Sequence, residues 1–204
     1  MNYRYVARSI SHFKVNVVVK ILILSDFIVL SAANILSPIF AIFIAENVPG
    51  GTIEAAGIAV AIYAVSKSVF EVPVGIFIDK KKGERDDLTA SFLGTLLQGV
   101  AYFLMIFITN IWQLYLLQAV MGFASAVAFP GWYAIFSRHV DDNKQGFEWS
   151  LYDVLIGFGY AGAAAISGFI AVMWGFKTIF IVVAIFTCIG AFLLPIIFPQ
   201  MKKK

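Results

Sequence analysis

Four ionisable side chains interrupt otherwise apolar stretches of this 204-residue chain: Asp26, Lys67, Glu71 and Asp153. A charge placed centrally in hydrocarbon costs about 2.5–3.5 kcal/mol, so residues of this kind are kept where they bind, pair or pass a proton. Lys67 and Glu71 stand four apart on one helical face, and either neutralise each other or act on a solute or proton. Neutral polar and aromatic residues accompany them. Asn34 shares a run with Asp26; Gln118, Ser125 and Trp132, with Gly122 and Phe129 between them, fall on one stripe at alternating steps of four and three; Trp149 and Tyr152 precede Asp153. The charged group suits proton or charge coupling. The neutral group offers hydrogen bonds and flat ring surfaces for an uncharged polar solute, sugar-like in the simplest case.

These residues need elements to position them, and the composition says which. Hydrophobic residues make up 61% and charged residues only 13% of the chain, against about 25% charged in soluble domains. Six apolar runs, residues 19–45, 53–78, 88–108, 111–140, 147–174 and 178–198, each reach the length of about 20 residues that crosses a bilayer as a helix. The fold class expected is an all-α integral membrane protein: a cytoplasmic N-terminal segment (1–18), a six-helix transmembrane domain (19–198) and a basic tail (199–204). Lys and Arg cluster before the first run, after the second, fourth and sixth, and are nearly missing elsewhere, which puts both termini in the cytoplasm of a multi-pass cell-membrane protein. The three closing lysines read as a natural end. Within the runs, Pro73 is expected to bend its helix, the small residues of 157–168 to form a close-packed seam, and the third run to serve packing and lipid contact.

Several chemistries are excluded. The single cysteine, Cys188, and two histidines at His12 and His139 assemble no metal set and no nucleophile with its base. No cofactor is expected, no phosphate-cradling loop points to ATP, and nothing points to nucleic acid. The chain does not read as an enzyme.

The stretch EVPVGIFIDKKKGER (71–85) narrows the reading. Gly75, Asp79, Lys80, Gly83 and Arg85 follow the order of a cytoplasmic loop signature, with one extra residue before Gly83 and Glu84 where a basic residue is usual. This stretch resembles the loop between the second and third helices of major facilitator superfamily transporters. In that family the fourth helix often carries Arg four residues before Gly; here Gln118 precedes Gly122. The family's antiporter signature pairs Gly with Pro in the fifth helix, which has no Pro here, so antiport is not indicated.

The resemblance implies one half of a major facilitator fold, six helices in two three-helix inverted repeats. Gly57, Tyr63 and Val65 recur at the same spacing as Gly146, Tyr152 and Val154, and Pro38 finds a counterpart in Pro130. It further implies a proton-coupled symporter working as a parallel homodimer, with a small solute on the two-fold axis and Gly75, Asp79, Lys80, Gly83, Arg85 and Arg138 as a gating signature. The partners expected are a second copy, the solute, a proton and the lipid bilayer. The alternative is a subunit without transport of its own that pairs with another six-helix chain. Counted at about 1.5 Å per residue, Asp26, Glu71 and Asp153 reach similar depths, about 9–12 Å from the inner face, with Lys67 about a turn deeper.

Overall fold

The computed structural model describes residues 15–80 and 83–201; the expected N-terminal segment up to residue 14, Lys81, Lys82 and the three closing lysines lie outside them. Among the described residues six α-helices follow one another: α1 Val17–Asn34, α2 Phe40–Asn47, α3 Ile53–Lys80, α4 Glu84–Leu104, α5 Ile111–His139 and α6 Gln145–Leu193, with 3₁₀ turns at Met105–Phe107 and Leu194–Gln200. No strand occurs among the described residues. Helix starts carry local polar caps. The Asn16 side chain accepts the Val18 N–H at 2.9 Å, Thr52 Oγ1 accepts that of Ala55 at 3.0 Å, and Asn110 accepts that of Gln113 at 3.1 Å. Glu84, Asp86 and Asp87 complement the positive dipole end of α4.

The first run does not form one helix as expected. Pro38 has no N–H to donate and crowds the carbonyl four residues back. The chain answers with i→i−3 bonds from Ile35, Leu36, Ser37 and Ile39 before α2 begins. Pro73 and Pro130, in contrast, sit inside uninterrupted α3 and α5.

Among the described residues five helices, not six, are long and apolar enough to cross a membrane, because the last two runs merge in α6, which with its closing turn covers Gln145–Gln200. That helix is not straight. Gly175 has φ 74° and ψ 165°, a conformation that a residue with a Cβ rarely adopts. At 1.5 Å per residue a straight helix would hold Tyr152 and Gly190 about 57 Å apart. Both instead bond to adjacent residues of α1: Tyr152 Oη donates to Asp26 Oδ2 at 3.0 Å, and Ser25 Oγ donates to the Gly190 carbonyl at 2.8 Å. The helix folds back at Gly175 and presents two limbs to α1.

Packing proceeds by α3 against α5, α1 against both limbs of α6, and α4 against α5 and the second limb of α6. Small residues allow the backbones to meet. A Cβ on Gly94 of α4 would lie 2.5 Å from the Ala128 nitrogen of α5; one on Gly190 of α6 would lie 3.0 Å from the Ser25 carbonyl oxygen of α1. The contacts of α3 with α5, α4 with α5 and α1 with α6 also have a polar tie to a backbone carbonyl. Ser66 Oγ donates to Ala119 O at 2.7 Å, Ser91 Oγ to Ala128 O at 3.0 Å and Asn34 Nδ2 to Tyr160 O at 3.0 Å. Such bonds between membrane helices contribute about 0.6 kcal/mol each.

The seam expected at residues 157–168 is one-sided. Gly159 and Ala163 pack inward, whereas Gly157, Gly162 and Gly168 would meet no atom within 4 Å if they carried a Cβ. The outward face of α3 is similarly open, with Gly57, Val65, Val69 and Val72 uncovered.

This contrast sets the sign of two substitutions. Gly94→Ala should destabilise the protein by about 1–3 kcal/mol, since backbone rather than a flexible side chain must give way. Gly157→Ala should be neutral or stabilising by up to about 1 kcal/mol, since it removes only the helix penalty of glycine. Thermal unfolding in detergent checks both.

Candidate functional site

The inner faces of α1, α3, α4, α5 and the first limb of α6 enclose a cavity of about 470 Å³. Helical spacing delivers its lining: Asp26 and Ala33 from α1, Tyr63 and Lys67 from α3, Ser125, Phe129 and Trp132 from α5. Opposite them stand Tyr152, Asp153, Ile156 and Tyr160 of α6.

Three contacts organise the walls. Tyr152 Oη holds one oxygen of Asp26 across α1 and α6, as above. Tyr63 Oη and Ser125 Oγ are 3.0 Å apart and hydrogen-bonded across α3 and α5. Lys67 Nζ lies 4.4 Å from the centre of the Phe129 ring, a cation–π contact of about 0.5–2 kcal/mol depending on solvent. Among the described residues Lys67 forms no ion pair with Glu71; the ion pairs there are Arg138–Asp87 and Lys144–Asp141. Glu71 is half-buried one turn along α3 and outside the cavity wall.

The other expected solute contacts are spread more widely. Asn34 spends its amide on the Tyr160 carbonyl and does not line the cavity. Gln118, 5% exposed, belongs to a second cavity of about 290 Å³ that shares Ala33, Tyr63 and Tyr102 with the first. Trp149 packs outside the cavity against Phe136, Tyr133 and Tyr152, with ring centres 4.5, 5.7 and 6.1 Å away. Trp132 does line it. It stacks on Phe136 at 4.8 Å, and its buried indole Nε1 has no acceptor.

Sequence reasoning missed one wall. Ser91, Thr95, Gln98 and Tyr102 of α4 all face the cavity, although the third run reads as packing and lipid contact. Their spacing of four, three and four is the signal that finds them. Tyr133, also unforeseen, lies within electrostatic reach of Asp26, Asp153 and Glu71 together.

At the other end of α3 and α5, the signature residues take up different positions. Asp79 and Lys80 are exposed, Gly83 is the extended residue before α4, and Gly75 is in ordinary contact with Pro130. Arg85 is half-buried. Arg138, expected to assist Asp79, pairs with Asp87: its Nη1 donates to Asp87 Oδ2. Asp87 is 1% exposed and Arg138 44%. Gly131 lets α5 approach the Asp87 backbone, and Ser91 Oγ donates to the Asp87 carbonyl at 3.0 Å.

The model of the Major Facilitator Superfamily matches residues 22–204. The chain belongs to that family. Its members are transporters rather than enzymes. Two curated relatives, each called multi-drug resistance efflux pump PmrA and coming from two strains of Streptococcus pneumoniae, are 27% identical to it over 172 residues. The alignment covers 82% of this chain and 41% of theirs, so this superfamily chain spans less than half the length of the relatives it matches.

The Asp87–Arg138 pair is asymmetric, and its variants should be too. Arg138→Gln leaves a buried carboxylate without its partner and should cost about 1–3 kcal/mol, less than for a fully buried pair because Arg138 is partly solvated. Asp87→Asn leaves only a partly exposed guanidinium and should cost less. Combining the two should recover part of the Arg138→Gln loss, as a thermal double-mutant cycle in detergent would register.

Proposed function

We propose that this chain forms one half of a proton-coupled secondary transporter, with its solute held in the 470 Å³ cavity and a second six-helix body closing the open side. The observation that carries this reading is the convergence of Asp26, Lys67 and Asp153 on that cavity from three helices of a membrane bundle. Charges brought together from separate helices line a cavity far more readily than a lipid boundary. Helix packing alone requires none of them.

Six crossings follow if both limbs of α6 span the membrane, with α1 to α4 (α1 and α2 forming one crossing) and α5 with the two limbs of α6 as the halves of an inverted repeat. The pairing supports this. In such a repeat the contact of α3 with α5 corresponds to that of the first α6 limb with α1, and Gly94 against α5 corresponds to Gly190 against α1. Charge bias places both termini on the cytoplasmic side of the cell membrane.

A second copy inserted the same way up supplies the missing half, because two such chains are related by a rotation about the membrane normal. The uncovered faces of α3 and of the first α6 limb are where it would dock. Exposed Asp79 is then free to meet the start of α6 in that copy, where a carboxylate gains about 0.3–1 kcal/mol from the helix dipole. Alternating access is the rocking of one half on the other. Asp26, Lys67, Glu71 and Asp153 handle charge and protons in this scheme, and Ser125, Trp132 and Tyr152 meet the solute. Asn34 and Gln118 lie within a turn or two of that contact. The efflux role in the relatives' name makes outward movement the direction to test first, beside the symport expected from the sequence.

Proteoliposomes with an imposed pH gradient, loaded with a solute panel that includes sugars and ring-bearing organic ions, test the reading. Gradient-driven flux of at least one solute, lost in Lys67→Met and reduced about tenfold or more in Asp26→Asn, is the expected result. Failure of every solute to respond to a gradient of either sign would end it.

A further inference from the structure

The charges in the cavity are not all of one sign, and none of them is paired with another. Lys67 has only the Phe129 ring beneath it, and no carboxylate forms an ion pair with it among the described residues. An ammonium left without a counter-ion in a low-dielectric setting is costly, and an anionic group brought by a ligand relieves that cost. Trp132 adds a buried indole N–H without an acceptor to the same wall.

On the facing helices the sign reverses. Asp26 uses one carboxylate oxygen to accept from Tyr152, which leaves its other oxygen and further lone pairs open. Asp153 is exposed and forms no ion pair among the described residues. Glu71, a turn beyond Lys67 on α3, adds a third negative group near but outside the wall. The rings of Tyr63, Tyr102, Tyr160 and Phe129 line the same cavity.

We propose that the cavity is built for a zwitterionic, ring-bearing solute, with its anionic end on Lys67, its cationic end on Asp26 and Asp153, and its ring among the tyrosines. The proposal deepens the transporter reading by naming the solute class of that site. Charge balance decides between the candidates. A simple anion meets Lys67 but is repelled by two carboxylates; a simple cation meets the carboxylates and leaves Lys67 unmatched; a neutral sugar leaves both poles unmatched. A zwitterion alone answers both. The volume of about 470 Å³ holds a drug-sized molecule.

One fluorophore carried on four charge types tests this with the purified full chain in lipid nanodiscs and no gradient. Nε-dansyl-lysine is the zwitterion, dansylglycine the anion, dansylcadaverine the cation and dansylamide the neutral form; each brightens on entering an apolar site. The expected result is that dansyl-lysine binds at least about tenfold more tightly than the other three. Lys67→Met should lower its affinity to that of dansylcadaverine, Asp153→Asn should move it towards that of dansylglycine, and Lys67→Arg should keep the preference and so exclude misfolding as the cause. Equal affinities for the four probes, a cation or anion bound best, or a zwitterion preference that survives Lys67→Met would each overturn the proposal. Because no transport is measured, a chain that binds dansyl-lysine in this pattern but moves nothing in liposomes keeps the site and loses the transport reading.

Discussion

A polar group in hydrocarbon has no water to fall back on, and the whole arrangement of this chain follows from that constraint. Backbone amides meet it by forming helices. Serine and asparagine side chains meet it by bonding to carbonyls of the next helix, as Ser25, Ser66, Ser91 and Asn34 do. Those bonds form only where the backbones come close, and Gly94, Gly122 and Gly190 supply the close approach. Lys67, Asp26 and Asp153 meet the constraint differently, by sharing one enclosed space. Packing and site are therefore two answers to a single requirement, and the helices that cannot bury their charges among apolar neighbours are the ones that build the cavity.

Two kinds of contact divide the work. Near the beginning of α4 and the end of α5, the Asp87–Arg138 pair, the Ser91 bonds and the close contact at Gly131 tie two helices together at several points. Around the cavity, Tyr63 with Ser125 and Tyr152 with Asp26 make single hydrogen bonds between different helix pairs, α3 with α5 and α1 with α6. The outward faces of α3 and of the first α6 limb carry neither kind. Their uncovered glycines and valines leave room for helices of another body.

Much of this was legible from residue types and spacing. The all-helical membrane class and the cavity positions of Asp26, Lys67, Ser125, Trp132, Tyr152 and Asp153 follow from where charges and polar residues interrupt apolar runs, and the family from the resemblance of the 71–85 stretch to a known loop signature. What was not legible depends on third partners. Trp149 has the same type and neighbourhood as a solute platform, yet Phe136 and Tyr133 claim it first. Asn34 faces the right way on its helix, and the Tyr160 carbonyl takes its amide. Arg138 belongs to Asp87 because Gly131 draws the helices together, a contact that no local pattern announces. Ser91, Thr95, Gln98 and Tyr102 were overlooked because each is weakly polar, and only their common face gives them away. The merging of the last two runs turns on one backbone angle at Gly175.

Whether the charged groups of the cavity face water rather than lipid is measured by labelling single cysteines in membranes. With Cys188 replaced by alanine, a cysteine at Asp153 should react with a small charged, water-soluble thiol reagent, while one at Val172, which is 87% exposed on the outer surface of α6, should react only with a lipid-soluble one. Reaction of the cysteine at position 153 with the lipid-soluble reagent alone would contradict the account.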